Sequence, residues 1–196
     1  MKHLAMRLSR LSVITEFSPS LEQYQTEGQV AAKWLTTIDS ETPLEGMTIV
    51  DLGAGNGILG LGAALLGASS VTLIEGDKKS ASIASINGEE ISSETGCSVE
   101  VIEEMLTKWP TGLDADMIIM NPPWGFQKKG ADRIFIETAL DSPADAIHLL
   151  HSADAMHPQA MAKDAGWEVE LKFVDDFRLP ASMSHHTSQN YSTSVA

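Results

Sequence analysis

The chain alternates between short apolar runs the length of a buried strand and stretches in which apolar residues return every three or four positions. Thr48–Leu52, Val71–Ile74, Val99–Ile102, Met117–Met120 and Ala146–Leu150 read as strands, followed by a strand from Trp167 to about Phe177 and a last short one beyond the loop Arg178–Gln189. Between them, Ile58–Leu66, Lys79–Glu90, Arg133–Leu140 and Pro158–Ala165 carry helical patterns. Ahead of the first strand, Leu4, Leu8 and Leu11 mark one helix that Ser18-Pro19-Ser20 ends, and a second pattern runs from Leu21 to about Ile38. This order predicts an α/β fold: an open, mostly parallel seven-stranded sheet with helices on both faces. It forms one domain, with a helical preface over residues 1–45 and the sheet-bearing core over 46–196. Ligands of such folds lie beyond the carboxyl ends of the strands.

The polar residues gather at those ends. The first strand runs into Asp51-Leu52-Gly53-Ala54-Gly55-Asn56-Gly57, a glycine turn that lets the backbone approach a ligand and leaves the next helix N-terminus open to it. A dinucleotide fingerprint would place glycine or alanine after Gly57, where Ile58 stands, and Asp51 suits a ligand bearing an ammonium group. The second strand closes on Glu75, where nucleotide sites place the acid for ribose hydroxyls, with Asp77 as the near alternative; the third closes on Glu103 and Glu104. The fourth stops at Asn121-Pro122-Pro123-Trp124-Gly125. Two prolines without N–H groups stiffen the exit and keep carbonyls out of any ladder. The Asn121 side-chain oxygen and the Pro122 carbonyl can then accept both hydrogens of one exocyclic NH₂, with Trp124 stacking on the flat group that carries it.

Composition limits the choices. With 196 residues, 43% hydrophobic and 20% charged, the chain suits one globular domain, and no apolar run approaches the ~20 residues of a membrane span. Lys2, Arg7 and Arg10 give the start a targeting-peptide look, but Glu16 interrupts the apolar patch, so the segment reads as a mature amphipathic helix. A single cysteine, Cys97, excludes an internal disulfide and a cysteine zinc site, which points to a reducing, cytoplasmic setting. No metal site is expected: His148 and His151 stand three apart on a strand and so on opposite faces, and packing or solvent accounts for both. Thirteen basic against 27 acidic residues, a net charge of −14, is awkward for a nucleic-acid enzyme.

Taken in order, these motifs make the chain resemble class I, Rossmann-like S-adenosylmethionine-dependent methyltransferases that act on amines. It is most similar to the archaeal and eukaryotic ribosomal-RNA adenine-N6 enzymes of the methyltransferase-like protein five family. The likeness takes in Glu22-Gln23-Tyr24-Gln25-Thr26, the Asp51–Gly57 turn, Asn121–Gly125, Lys128-Lys129-Gly130-Ala131-Asp132-Arg133 and Leu179-Pro180-Ala181-Ser182. It implies S-adenosyl-L-methionine as cofactor, with Asp51, Gly53, Gly55, Asn56 and Gly57 around its methionine end. By the same resemblance Glu75 holds the ribose, Glu104 or Glu103 the adenine amine, and Gln23, Tyr24 and Thr26 close over it. Asn121, Pro122, Pro123 and Trp124 form the catalytic motif. The family usually has phenylalanine where Trp124 stands, and lysines after a histidine where this chain has His186-Thr187-Ser188-Gln189.

The implied reaction is N6 methylation of adenine in RNA, small-subunit ribosomal RNA foremost. Lys128, Lys129 and Arg133 are the expected RNA contacts, with Lys2, Arg7 and Arg10 as a second patch. The resemblance also implies a small zinc-binding activator protein at the edge formed by the third strand, able to supply phosphate contacts this acidic chain lacks. Two other functions compete. A protein glutamine amide offers the same planar NH₂, although the resembling release-factor enzymes carry a large helical domain before the sheet; a non-catalytic cofactor- and RNA-binding assembly module would not need both Asp51 and Asn121.

Overall fold

The computed structural model describes residues 1–14, 26–124 and 129–170, together with the backbone of 173–178 and 190–195. Two helices, α1 (Lys2–Leu8) and α2 (Gly28–Glu41), precede the sheet. There follow β1 (Thr48–Leu52), α3 (Ile58–Leu65), β2 (Ser70–Glu75), α4 (Lys78–Thr95), β3 (Ser98–Glu103), β4 (Met117–Met120), α5 (Arg133–Leu140), β5 (Ala146–Ser152), α6 (His157–Asp164), β6 (Phe173–Arg178) and β7 (Asn190–Val195). The strand order is β3-β2-β1-β4-β5-β7-β6. Five strands, β3 to β5 in that order, pair in parallel. The count of seven is reached with β7 and β6, which pair antiparallel beyond β5.

The inner strands of the parallel part read as largely apolar runs because both faces are covered, whereas the edge strand β3 alternates exposed and half-buried residues. Ile49, Val71, Leu73, Met117 and Ile119 face a core with Leu4 and Leu8 of α1, Trp34 and Leu35 of α2, Leu61 of α3 and Ile91 of α4. The alternate residues Val50, Leu52, Ile74, Ile118 and Met120 meet Ile136 and Ala139 of α5 on the other side. No helix covers the crossover from β3 to β4. Leu106, Trp109 and Leu113 close that face instead, and the Trp109 indole N–H donates to the Leu113 carbonyl at 2.9 Å.

Two expected boundaries shift. The second helix begins at Gly28 instead of Leu21: Glu27 is extended, with φ −67° and ψ 140°, and the buried Thr26 side chain is held at the strand ends, off the helix path. Residues 21–25 lie outside the described residues. The strand expected from Trp167 begins at Phe173, because Gly166 turns the chain at φ +87° and the Trp167 N–H caps α6 through the Ala162 carbonyl.

The preface is tied to the core by hydrogen bonds as well as by leucines. Asn87 of α4, fully buried, accepts from the Ser12 N–H at 2.8 Å and donates to the carbonyls of Ser12 at 3.1 Å and Asn56 at 2.9 Å. The Asn56 amide donates to the same Ser12 carbonyl at 3.0 Å. Arg7 adds ion pairs to Glu90 and Glu94 of α4, both at 2.8 Å. Replacing Asn87 by alanine strands these buried groups and should cost about 2–3 kcal/mol of stability, read as a lower denaturant midpoint. Arg7→Ala, which breaks ion pairs to two well-exposed glutamates, should cost about 1 kcal/mol.

Candidate functional site

The glycine turn is shaped by two carboxylates. Asp51, at the end of β1 and 1% exposed, accepts from the Gly60 N–H at 2.8 Å through Oδ2, pinning the first turn of α3 to the strand. Its Oδ1 is buried without a hydrogen-bond partner. Burial, reinforced by the charge of Glu75 and only partly offset by the Gly60 N–H, pushes the Asp51 carboxyl up to about 7. Glu75 accepts from the N–H groups of Gly55 and Asp77, each at 2.8 Å. Burial raises its carboxyl too, against the lowering effect of those two N–H groups. Gly53, Gly55 and Gly57 all have positive φ, between 59° and 86°, as the turn requires.

Strand register brings the second motif alongside. Leu52 pairs with Ile74 on one side and Met120 on the other, so Gly53 sits between Glu75 and Asn121 where the strand order reverses. The Trp124 indole N–H donates to Asn121 Oδ1 at 3.1 Å. Since an indole nitrogen only donates, the Asn121 oxygen must face Trp124, which fixes the amide's orientation. Its Nδ2 then donates to the Thr26 hydroxyl oxygen at 3.0 Å. Trp124 is 9% exposed, and its ring stacks on His151 with centroids 5.9 Å apart and planes 26° apart.

His151 is therefore neither plain packing nor solvated, as the sequence suggested. It lies at the end of β5, and its Nε2 meets Asp132 Oδ2 at 3.0 Å. His157, at the start of α6, reaches the same oxygen. Burial alone would raise the Asp132 carboxyl, but the hydrogen bonds from His151 and His157 prevail and hold it down to about 2. The three donor atoms lie within 4.8 Å of one another, the donor set of a transition-metal site. The outer contact argues otherwise. His151 Nδ1 accepts from the Ser152 N–H at 2.9 Å, so the ring proton sits on Nε2 and points at Asp132, whereas a metal-bound histidine donates its second N–H outward. The cluster is built as a hydrogen-bonded clamp.

The other expected residues scatter. Asn56 has its amide engaged by Ser12, at the foot of the turn. Glu103 and Glu104 are exposed at the end of β3, Pro122 is buried and Pro123 partly so. Gln23, Tyr24, Lys128 and Leu179-Pro180-Ala181-Ser182 lie outside the described residues. Among the basic residues expected on RNA, Arg133 pairs with Glu137 at 2.7 Å and Arg7 with two glutamates of α4, while Lys2, Arg10 and Lys129 are exposed. His151 and His157 escaped the sequence reading because their shared partner, Asp132, comes from a different crossover. The signal available was Asp132 itself, inside a quoted motif yet without an assigned role.

Residues 30–146 match the Methyltransferase small domain family. Across the whole of this chain and 95% of the relative, the sequence is 30% identical to the rRNA N(6)-adenosine-methyltransferase METTL5 of Danio rerio. An uncharacterized protein of Methanocaldococcus jannaschii is 29% identical over 94% of this chain and 86% of its own. Among solved structures, a candidate RNA methyltransferase from Pyrococcus horikoshii superposes with a TM-score of 0.85 at 29% identity, over 99% of this chain and 94% of that one. The fold thus agrees with the comparisons, and the chain belongs to the Methyltransferase small domain family.

Proposed function

We propose that this chain is an S-adenosyl-L-methionine-dependent methyltransferase that acts on the N6 amine of adenine in RNA, small-subunit ribosomal RNA foremost. The observation that carries the reading is the side-by-side placement of Asp51 with its orphaned Oδ1 and of Asn121, on neighbouring strand ends. The METTL5 relative, matched over its full length, supports the choice of substrate. The residues fit the cofactor: Asp51 Oδ1 awaits a donor such as an ammonium group, and the glycines of the turn keep its path open. Glu75 and the Glu103-Glu104 end of β3 complete the rim for the ribose and adenine, and the resemblance assigns Gln23, Tyr24 and Thr26 to close over the cofactor. When bound, the cofactor supplies an electrophilic methyl group.

The chain's own residues handle the amine. An adenine amine is a weak nucleophile because its lone pair is delocalised into the ring. Asn121 Oδ1 and the Pro122 carbonyl, accepting its two hydrogens, favour a pyramidal nitrogen and aim the lone pair across the strand ends. Trp124 stacks on the base, and Pro122 and Pro123 hold the motif stiff. The product's extra proton leaves to solvent, so the site needs no strong base. The helical preface, residues 1–45, and the core act as one unit in a cytoplasmic setting, and no helix among the described residues is long and apolar enough to cross a membrane.

The acidic balance calls for help with RNA. β3 stands at one edge of the sheet, with Ser98, Glu100 and Glu103 exposed along it. Such an edge accepts a further strand, and we assign it to a small zinc-binding partner protein that supplies basic surface this acidic chain lacks.

Three measurements test the reading. Cofactor affinity, followed by calorimetry from pH 5 to 7, should rise with pH: Asp51 must ionise to hold an ammonium group, and its carboxyl stands near 7 before binding. Asp51→Asn should flatten that dependence and cost about 2–4 kcal/mol of binding near neutrality. Asn121→Ala should leave cofactor affinity intact yet slow single-turnover methyl transfer by roughly 10²–10³, the worth of one preorganised polar group. Methyl transfer to a transcribed small-subunit ribosomal RNA should exceed that to release factor; the reverse would reassign the substrate to a protein glutamine.

A further inference from the structure

We propose that Trp124 is a resident donor on Asn121, holding with its indole N–H the acceptor that a target amine must take over, and that His151, tethered by Asp132, is the positioning residue that keeps the indole there. The inference rests on the reading of Asn121 as the amine's acceptor. It makes Trp124 a determinant of target affinity in a second way, beyond ring stacking.

The contacts form an unbroken series. Thr26 fixes the Nδ2 side of the Asn121 amide, and the oxygen side receives the indole N–H at 3.1 Å. The indole ring lies on His151. That imidazole cannot swing, because Ser152 N–H and Asp132 Oδ2 hold its two nitrogens. His157 binds the same carboxylate and meets the His151 ring edge-on, with centroids 5.4 Å apart. Each link is either a donor-only group on an acceptor or a ring against a ring, so shifting Trp124 disturbs all of them. A neutral N–H on a buried oxygen is worth nearly what the amine's own N–H would be, so the incoming base exchanges one hydrogen bond for another. Phenylalanine at this position would keep the stack and leave Asn121 Oδ1 uncommitted.

The test follows the indole proton. The chain has four tryptophans, and in an ¹⁵N-labelled sample the Trp124 indole signal is the one lost in Trp124→Phe. In the free protein it should exchange slowly with solvent. Asn121→Ala should shift it and speed its exchange, and so should saturation with a single-stranded RNA carrying one adenosine. Asp132→Ala should move the same signal by loosening His151; should that variant fail to fold, Asp132→Asn, which keeps one acceptor, serves in its place. Trp124→Phe should lower the KM for the RNA about fivefold, the worth of one neutral hydrogen bond, a gain that structural damage does not produce.

An indole signal indifferent to Asn121→Ala, or a KM that rises in Trp124→Phe, overturns the proposal. So does stoichiometric zinc binding that Asp132→Asn abolishes, since it would require the Nε2 lone pair of His151 that the clamp denies. The two readings fail separately. If the indole signal responds as expected but no methyl reaches RNA, the substrate assignment is wrong and the clamp stands; if transfer depends on Asn121 while the indole stays indifferent, the clamp alone falls.

Discussion

The site depends on one buried hydrogen bond, that from the Gly60 N–H to Asp51 Oδ2. It joins the last turn of a strand to the first turn of the helix that follows, so the intervening glycines close into one defined loop. Because Oδ2 is engaged, Oδ1 points elsewhere, and burial makes its missing partner costly. A ligand able to donate there relieves a penalty already built into the fold. One oxygen of the carboxylate fixes the loop while the other is left buried without a partner.

A second constraint couples the preface to the chemistry. Asn87 and Asn56 converge on the backbone of Ser12, and Asn56 stands within the glycine turn itself. Thr26, just ahead of α2 in the same preface, meets Asn121. The segments flanking the preface helices, Ser12 after α1 and Thr26 before α2, therefore touch the glycine turn at one point and Asn121 at another.

Much of this was legible in the sequence because it is local. Apolar runs of strand length, glycines at a strand exit and two prolines after an asparagine each act through the geometry of a few adjacent residues, and α5 falls on Arg133–Leu140 as read. The start of α2 was misplaced because a tertiary contact, Thr26 to Asn121, decides where the chain enters that helix. The Asp132, His151 and His157 clamp was missed for a related reason: its members come from before α5, the end of β5 and the start of α6, and only the β4–β5 pairing brings them beside Trp124. Spacing arguments correctly kept His148 from pairing with His151 but had no means of finding partners from other elements.

The glycines inside α3 carry a further meaning. A methyl group on Gly60 would stand 2.5 Å from Leu73 of the sheet, and one on Gly62 would stand 2.3 Å from Leu35 of α2. This helix is thus flattened on two sides, one against the strands and one against the preface. The preface and the sheet-bearing core pack through the same small-residue helix, Leu35 of α2 filling the space beside Gly62. A larger side chain at Gly62 would have to push Leu35 aside, so the fit of the preface on the core is set by the absence of one methyl group.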